Sequence, residues 1–122
     1  MNDIKRIPDS ELEIMMIIWE AGQSVSADYI MDRIDKTWTK TTLLNFLTRL
    51  CSRGFLDCSK EGRRNLYTPI VDKEVYLQKE SKSFLNRLYH NSLTGLVASL
   101  YDGKSVSKED LAELKRYIEE AE

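Results

Sequence analysis

Residues Thr39–Arg53 read TKTTLLNFLTRLCSR, and this stretch decides the fold. Leu43, Phe46, Leu47 and Leu50 recur at i, i+3, i+4 and i+7, the spacing that lays one apolar stripe along a helix. Thr39 is the candidate N-cap, its hydroxyl placed to satisfy an amide of the first turn. Gly54 supplies the left-handed residue that stops a helix. If the stripe is buried, the opposite side carries Thr41, Thr42, Asn45, Thr48, Arg49 and Ser52. That side offers hydroxyl, amide and guanidinium groups and no carboxylate. Such a face suits a phosphate-rich partner, which would repel acids.

Upstream, Ser10-Glu11-Leu12-Glu13 reads as a capping box opening a helix. Its apolar face is set by residues 12, 15, 16 and 19 and widened by Ile14, Ile17 and Ile18. Gly22 ends that helix, and Ser26 caps a short second one with Ala27, Ile30, Met31 and Ile34 on one side. The link between them is short, so the two must pack as angled neighbours. Downstream, Phe55–Lys60 and Asn65–Val71 read as strands joined by the turn Glu61-Gly62-Arg63-Arg64, a β-hairpin with a basic tip. Pro69 lacks an amide proton and leaves an unpaired edge there. Three more helices follow: Asp72 to about His90, Ser92 to Tyr101, and a last one opened by Ser107-Lys108-Glu109-Asp110.

The order predicts a mainly α protein: an N-terminal winged helix-turn-helix, three helices plus a β-hairpin, over residues 1–71, then a three-helix dimerisation segment over 72–122. The second segment carries apolar stripes such as Leu93, Leu96, Val97 and Leu100, and Leu111, Leu114 and Ile118. A span of about 50 residues cannot close a good core alone. Its stripes need either the winged domain or a second copy.

The chain has 122 residues, 42% hydrophobic and 31% charged, a globular composition rather than a disordered one. Its longest apolar run, Ile14 to Trp19, is far short of the ~20 residues of a membrane span. Met1-Asn2-Asp3-Ile4-Lys5-Arg6 lacks the apolar core of a signal peptide, so a cytoplasmic protein is expected. The net charge is −2, yet Thr39 to Leu66 holds six basic residues (Lys40, Arg49, Arg53, Lys60, Arg63, Arg64) against Asp57 and Glu61. Both flanks carry excess acid. A basic middle of this kind can mark a partner-facing surface.

In a winged helix-turn-helix the third helix enters the major groove of duplex DNA. Thr41, Asn45, Thr48 and Ser52, spaced 4, 3 and 4, line one side of it. Asn pairs bidentately with adenine, and Thr offers its methyl to thymine. Lys40, Arg49 and Arg53 suit phosphate, and Arg63 and Arg64 suit the backbone or the minor groove. The expected DNA-binding set is Thr39, Lys40, Thr41, Thr42, Asn45, Thr48, Arg49, Arg53, Arg63 and Arg64. The competing reading is a winged-helix protein-interaction module without sequence-specific DNA binding, favoured by the acidic overall balance.

Other chemistry is thinly represented. His90 is the only histidine and has no cysteine near it in sequence, so no metal site is expected. Cys51 and Cys58 read as buried small hydrophobes rather than redox centres, and Trp19 and Trp38 as core or edge packing. There is no nucleophile–base constellation and no Gly-rich phosphate loop. Neither an enzyme nor a cofactor is expected.

The chain resembles the penicillinase and methicillin-resistance repressors, a winged-helix regulator family with a copper-responsive branch. The resemblance runs through Ser10-Glu11-Leu12-Glu13-Ile14-Met15, Ile17-Ile18-Trp19, Ser24-Val25-Ser26-Ala27, Thr42, Leu47-Thr48-Arg49-Leu50, Gly54-Phe55 and Asn65-Leu66-Tyr67-Thr68-Pro69. It continues in Lys82-Ser83-Phe84-Leu85-Asn86, Leu88-Tyr89, Ser92-Leu93, Leu96-Val97 and Glu113-Leu114. The order and spacing of these pieces are the specific feature. The resemblance implies a homodimeric repressor of antibiotic-resistance genes on a palindromic operator, with the C-terminal helices as dimer interface. It implies release when a membrane-bound sensor protease detects a β-lactam and the dimerisation region is cut, here at Ser99-Leu100 by alignment. Thr41 and Leu44 stand where the family commonly has Lys and Arg. The cysteine-rich ending of the copper branch has no counterpart after Tyr101.

Overall fold

The computed structural model describes residues 6–122. Met1 to Lys5, read above as lacking a leader's apolar core, lie outside the described residues. In chain order the elements are α1 (Asp9–Ala21), α2 (Ala27–Met31), α3 (Lys40–Ser52), β1 (Leu56–Glu61), β2 (Arg64–Pro69), α4 (Lys73–Tyr89), α5 (Leu93–Asp102) and α6 (Lys108–Ala121). Two compact units result, one running to Lys79 and one from Glu80 to Glu122.

The first unit is a winged helix. Its core is built from Ile14, Met15 and Ile18 of α1, Ile30 of α2, Leu43, Leu47 and Leu50 of α3, and Leu56 and Tyr67 of the hairpin. Tyr76 of α4 joins them, its hydroxyl accepting from the Ile7 amide at 2.8 Å. Each fully buried Leu or Ile contributes about 2 kcal/mol of transfer free energy. β1 and β2 pair antiparallel from Leu56↔Pro69 to Glu61↔Arg64. Val25, in the link between α1 and α2, also exchanges both backbone hydrogen bonds with Tyr67, at 3.1 and 2.8 Å. This bridge ties the helix-turn-helix to the wing.

Several local expectations are corrected. The capping box at Ser10 is absent: α1 begins at Asp9 behind Pro8, with no side-chain cap. Pro8 (φ −59°) is already set for helix entry, and its carbonyl receives the amides of Glu11 and Leu12 at 3.0 and 2.8 Å. The chain therefore turns before Ser10 can act. Glu13 instead accepts from the Asp35 amide at 3.0 Å and pairs with Lys36 at 3.5 Å. The buried stripe of α1 is Glu11, Ile14, Met15 and Ile18: Met15 of the expected face and Ile14 and Ile18 of its widening are in it, whereas Leu12, Met16 and Trp19 are only partly buried. Phe46 leaves the core stripe for the helix flank, where its ring meets Trp38 at 4.8 Å. The hairpin turn is shorter than expected, because Glu61 and Arg64 are paired strand residues closing on Gly62-Arg63. Gly62 takes φ +67° and Arg63 does not, the pattern of a type II′ turn.

In the second unit, Ser92 caps α5 by accepting from the Gly95 amide. Ser107 and Asp110 form a reciprocal capping box on α6. Between α4 and α5, His90 and Asn91 both adopt left-handed φ. The unit leaves Phe84, Leu88, Leu93, Leu100, Tyr117 and Ile118 exposed. Leu93, Val97, Tyr101, Leu111, Leu114 and Ile118 line a groove of about 360 Å³ between α5 and α6.

Candidate nucleic-acid interface

Thr39 sets the start of α3. Its backbone is extended, and its hydroxyl accepts from the Thr42 amide at 3.2 Å. At the other end, the Gly54 amide reaches the Cys51 carbonyl and the Phe55 amide the Leu50 carbonyl, the paired bonds of a Schellman stop. Between these stops, burial of Leu43, Leu47 and Leu50 fixes the rotation of the helix about its axis. That rotation turns Thr41, Asn45, Thr48 and Ser52 outward, all exposed.

The hydroxyls of this row are partly committed. Thr48 donates to the Leu44 carbonyl at 2.9 Å, and Ser52 to the Arg49 carbonyl at 3.0 Å. Thr48 therefore presents its methyl and an acceptor oxygen. The Asn45 side chain has no hydrogen bond among the described residues and offers a whole amide. Thr39 and Thr42 are engaged with each other, their hydroxyls 3.1 Å apart, so both serve the helix start.

The two flanks of α3 differ. On one, Lys40 pairs with Asp28 of α2 at 3.0 Å. Lys40 and Leu44 share a shallow concavity of about 220 Å³ with Ser26, Asp28, Arg63, Arg64 and Asn65. The wing tip is thereby brought beside the N-terminal half of α3. Arg64 lies 3.4 Å from Glu61, whereas exposed Arg63 has no ion-pair partner among the described residues. On the other flank, Arg49 lies 3.5 Å from Glu11 of α1 and 5.6 Å from the Phe46 ring. Arg53 follows at the exposed end of the helix. Of the ten expected residues, Thr39 and Thr42 serve the helix start, and the other eight divide among an outward row, a wing-side flank and an α1-side flank. Ser99 and Leu100 lie in the second unit, both exposed on α5, with the Ser99 carbonyl accepting from Gly103 at 3.0 Å.

Glu11 was missed by the sequence reading, although a signal existed. Extending the stripe of Ile14, Met15 and Ile18 back by three, four and seven residues lands on it. Cys58 is exposed on β1 rather than buried: it shares a face with Leu56 and lies opposite Tyr67, but past Leu56 every residue of the strand is exposed, because the wing runs beyond the core. Cys51 is half-buried, and burial, then Cys58 and Asp57 nearby, push its thiol up. Burial likewise raises the Tyr67 phenol. No group of three His, Cys, Asp or Glu among the described residues could hold a metal, and no described helix is long and apolar enough to cross a membrane.

A model of the penicillinase repressor family matches residues 7–120. The penicillinase repressor of Bacillus licheniformis is 36% identical over 122 residues, covering 98% of this chain and 94% of that protein. The methicillin resistance regulatory protein MecI of Staphylococcus aureus is 29% identical over 119 residues, covering 96% of each. The solution structure of the DNA-binding domain of the repressor BlaI matches with a TM-score of 0.53 at 36% identity, over 62% of this chain and 94% of that one. The monomeric form of Bacillus licheniformis BlaI in complex with the blaP half-operator matches with a TM-score of 0.52 at 35% identity, over the same shares.

Proposed function

Because the chain belongs to the penicillinase repressor family, we propose that it is a transcriptional repressor that reads operator DNA with α3 and grips the backbone with the β1–β2 wing. The observation that carries this reading is the outward row Thr41, Asn45, Thr48 and Ser52, free of carboxylates, beside the exposed Arg63 and Arg64. Asn45 is the candidate for bidentate pairing with adenine, and Thr48 for contact with a thymine methyl. Arg49, Arg53, Lys40, Arg63 and Arg64 would meet phosphate. Thr41 and Leu44, lacking the family's usual cations, give this chain its own operator preference. The family relatives are named as repressors, and the same reading makes this chain a cytoplasmic regulator without catalytic activity.

The second unit would supply the dimer. Leu88 and Leu93 each keep 57% of their surface exposed and Ile118 keeps 49%. A second copy of the unit would bury them and set two α3 helices about one turn of DNA, or a multiple of it, apart on a palindrome. Binding of the second half-site then becomes intramolecular. Cleavage at Ser99-Leu100 by a membrane-bound sensor protease would break that gain while sparing the winged helix. The cut lies within α5, so the helix end must open first. Genes of β-lactam resistance are the proposed targets.

Selection of duplexes from a randomised pool with the intact chain, followed by anisotropy titration and sedimentation equilibrium, tests the reading. The expected result is enrichment of a two-fold-symmetric sequence bound by a dimer. Failure to enrich any sequence would favour the protein-interaction module.

A further inference from the structure

Glu11 is fully buried in the first turn of α1. One carboxylate oxygen lies 3.5 Å from Nη1 of Arg49, and the other has no hydrogen-bond partner. Taking a carboxylate out of water is costly, and one half-exposed guanidinium at that distance repays little of it. An apolar residue at this point of the stripe would serve the core better. The arrangement is intelligible as a means of holding Arg49. Its guanidinium is drawn toward Glu11 on one side and lies near the Phe46 ring on another, and Phe46 is backed by Trp38 at 4.8 Å. The Arg49 side chain remains 50% exposed, and its other N–H donors have no hydrogen-bond partner among the described residues. A flexible arginine on an open helix face loses rotamer freedom when it engages a phosphate. One already fixed at its base has less to lose.

We propose that Glu11 is a positioning residue for DNA binding, acting from beneath the reading helix by fixing Arg49 so that its free N–H groups face the phosphate backbone. This rests on the DNA-binding reading above. Glu11 itself touches no DNA, and its effect passes entirely through Arg49.

The test is a double-mutant cycle in the intact chain, using as probe the duplex recovered by selection with the wild type. Glu11→Gln keeps the size and removes the charge. Glu11→Met removes the polar atoms as well and guards against a folding defect of the first variant. Arg49→Met keeps an unbranched stem against Phe46 and removes the guanidinium. Either Glu11 variant is expected to weaken binding about tenfold, the scale of one charge-assisted hydrogen bond, with a thermal melt equal to or above the wild type. In the Arg49→Met background the same changes are expected to cost nothing further. Unchanged affinity in both Glu11 variants overturns the proposal, as does an equal loss with and without Arg49. Loss of the fold in both variants would assign Glu11 to the core alone and also overturn it. Failure of the wild type to enrich any duplex would overturn the DNA-binding reading itself, and this proposal with it.

Discussion

Arg63→Ala isolates the contribution of the wing. Arg63 occupies the second position of the two-residue turn, at negative φ, so alanine fits the backbone without strain. Its side chain is exposed and has no ion-pair partner among the described residues. The substitution should therefore change stability by no more than about 0.5 kcal/mol. If Arg63 neutralises one phosphate, removing it lowers the slope of log K against log salt by about 0.9. Between 50 and 200 mM salt, a fourfold range, the wild type then loses about 3.5-fold more affinity than the variant. Anisotropy titrations of a labelled duplex at four or five salt concentrations would measure this. A parallel pair of salt lines would refute the phosphate contact. A melt lowered by several degrees would refute the claim that the turn tolerates alanine.

Other perturbations address separate parts of the account. Asn45→Ala should leave the melt unchanged, cost roughly 1–3 kcal/mol at one base pair and relax preference there; uniform weakening across all sequences would contradict direct reading. Leu47→Ala, at a fully buried position of α3, should destabilise the winged helix by about 2–5 kcal/mol in denaturant titration. Ile118→Lys, on the half-exposed wall of the α5–α6 groove, should shift the chain to monomer in sedimentation equilibrium, and an undisturbed dimer would place the interface elsewhere. Alkylation at neutral pH should label exposed Cys58 before Cys51, whose thiol burial raises; the reverse order would contradict the burial of Cys51.

What could be read from the sequence was local. Thr39, the Leu43–Leu47–Leu50 stripe and Gly54 each act within a few residues of themselves, and together they mark α3 within a residue at either end. The outward row followed from the stripe by helical geometry alone. The exceptions depended on packing that local sequence does not show. Glu11 was passed over as part of the Ser10-Glu11-Leu12-Glu13 segment; the stripe of Ile14, Met15 and Ile18 marks its burial, but nothing local announces its partner Arg49, 38 residues on. The Val25–Tyr67 bridge is a single residue pair across the fold, too short to leave an alternating pattern. Phe46 fits the apolar stripe by type, yet Trp38 draws it to the flank. Cys58 was misjudged because it lies on the strand face of Leu56, and nothing local shows that the wing runs past the core after that residue.

The proposed function stands on contact between the α3 row and DNA. Titrating the selected duplex into isotopically labelled protein, with the Asn45 side-chain amide as the reporter, tests it most directly. This resonance is expected to shift together with the amides of Thr41, Thr48 and Arg63. Shifts confined to residues 80–122, with Asn45 unmoved, would contradict it.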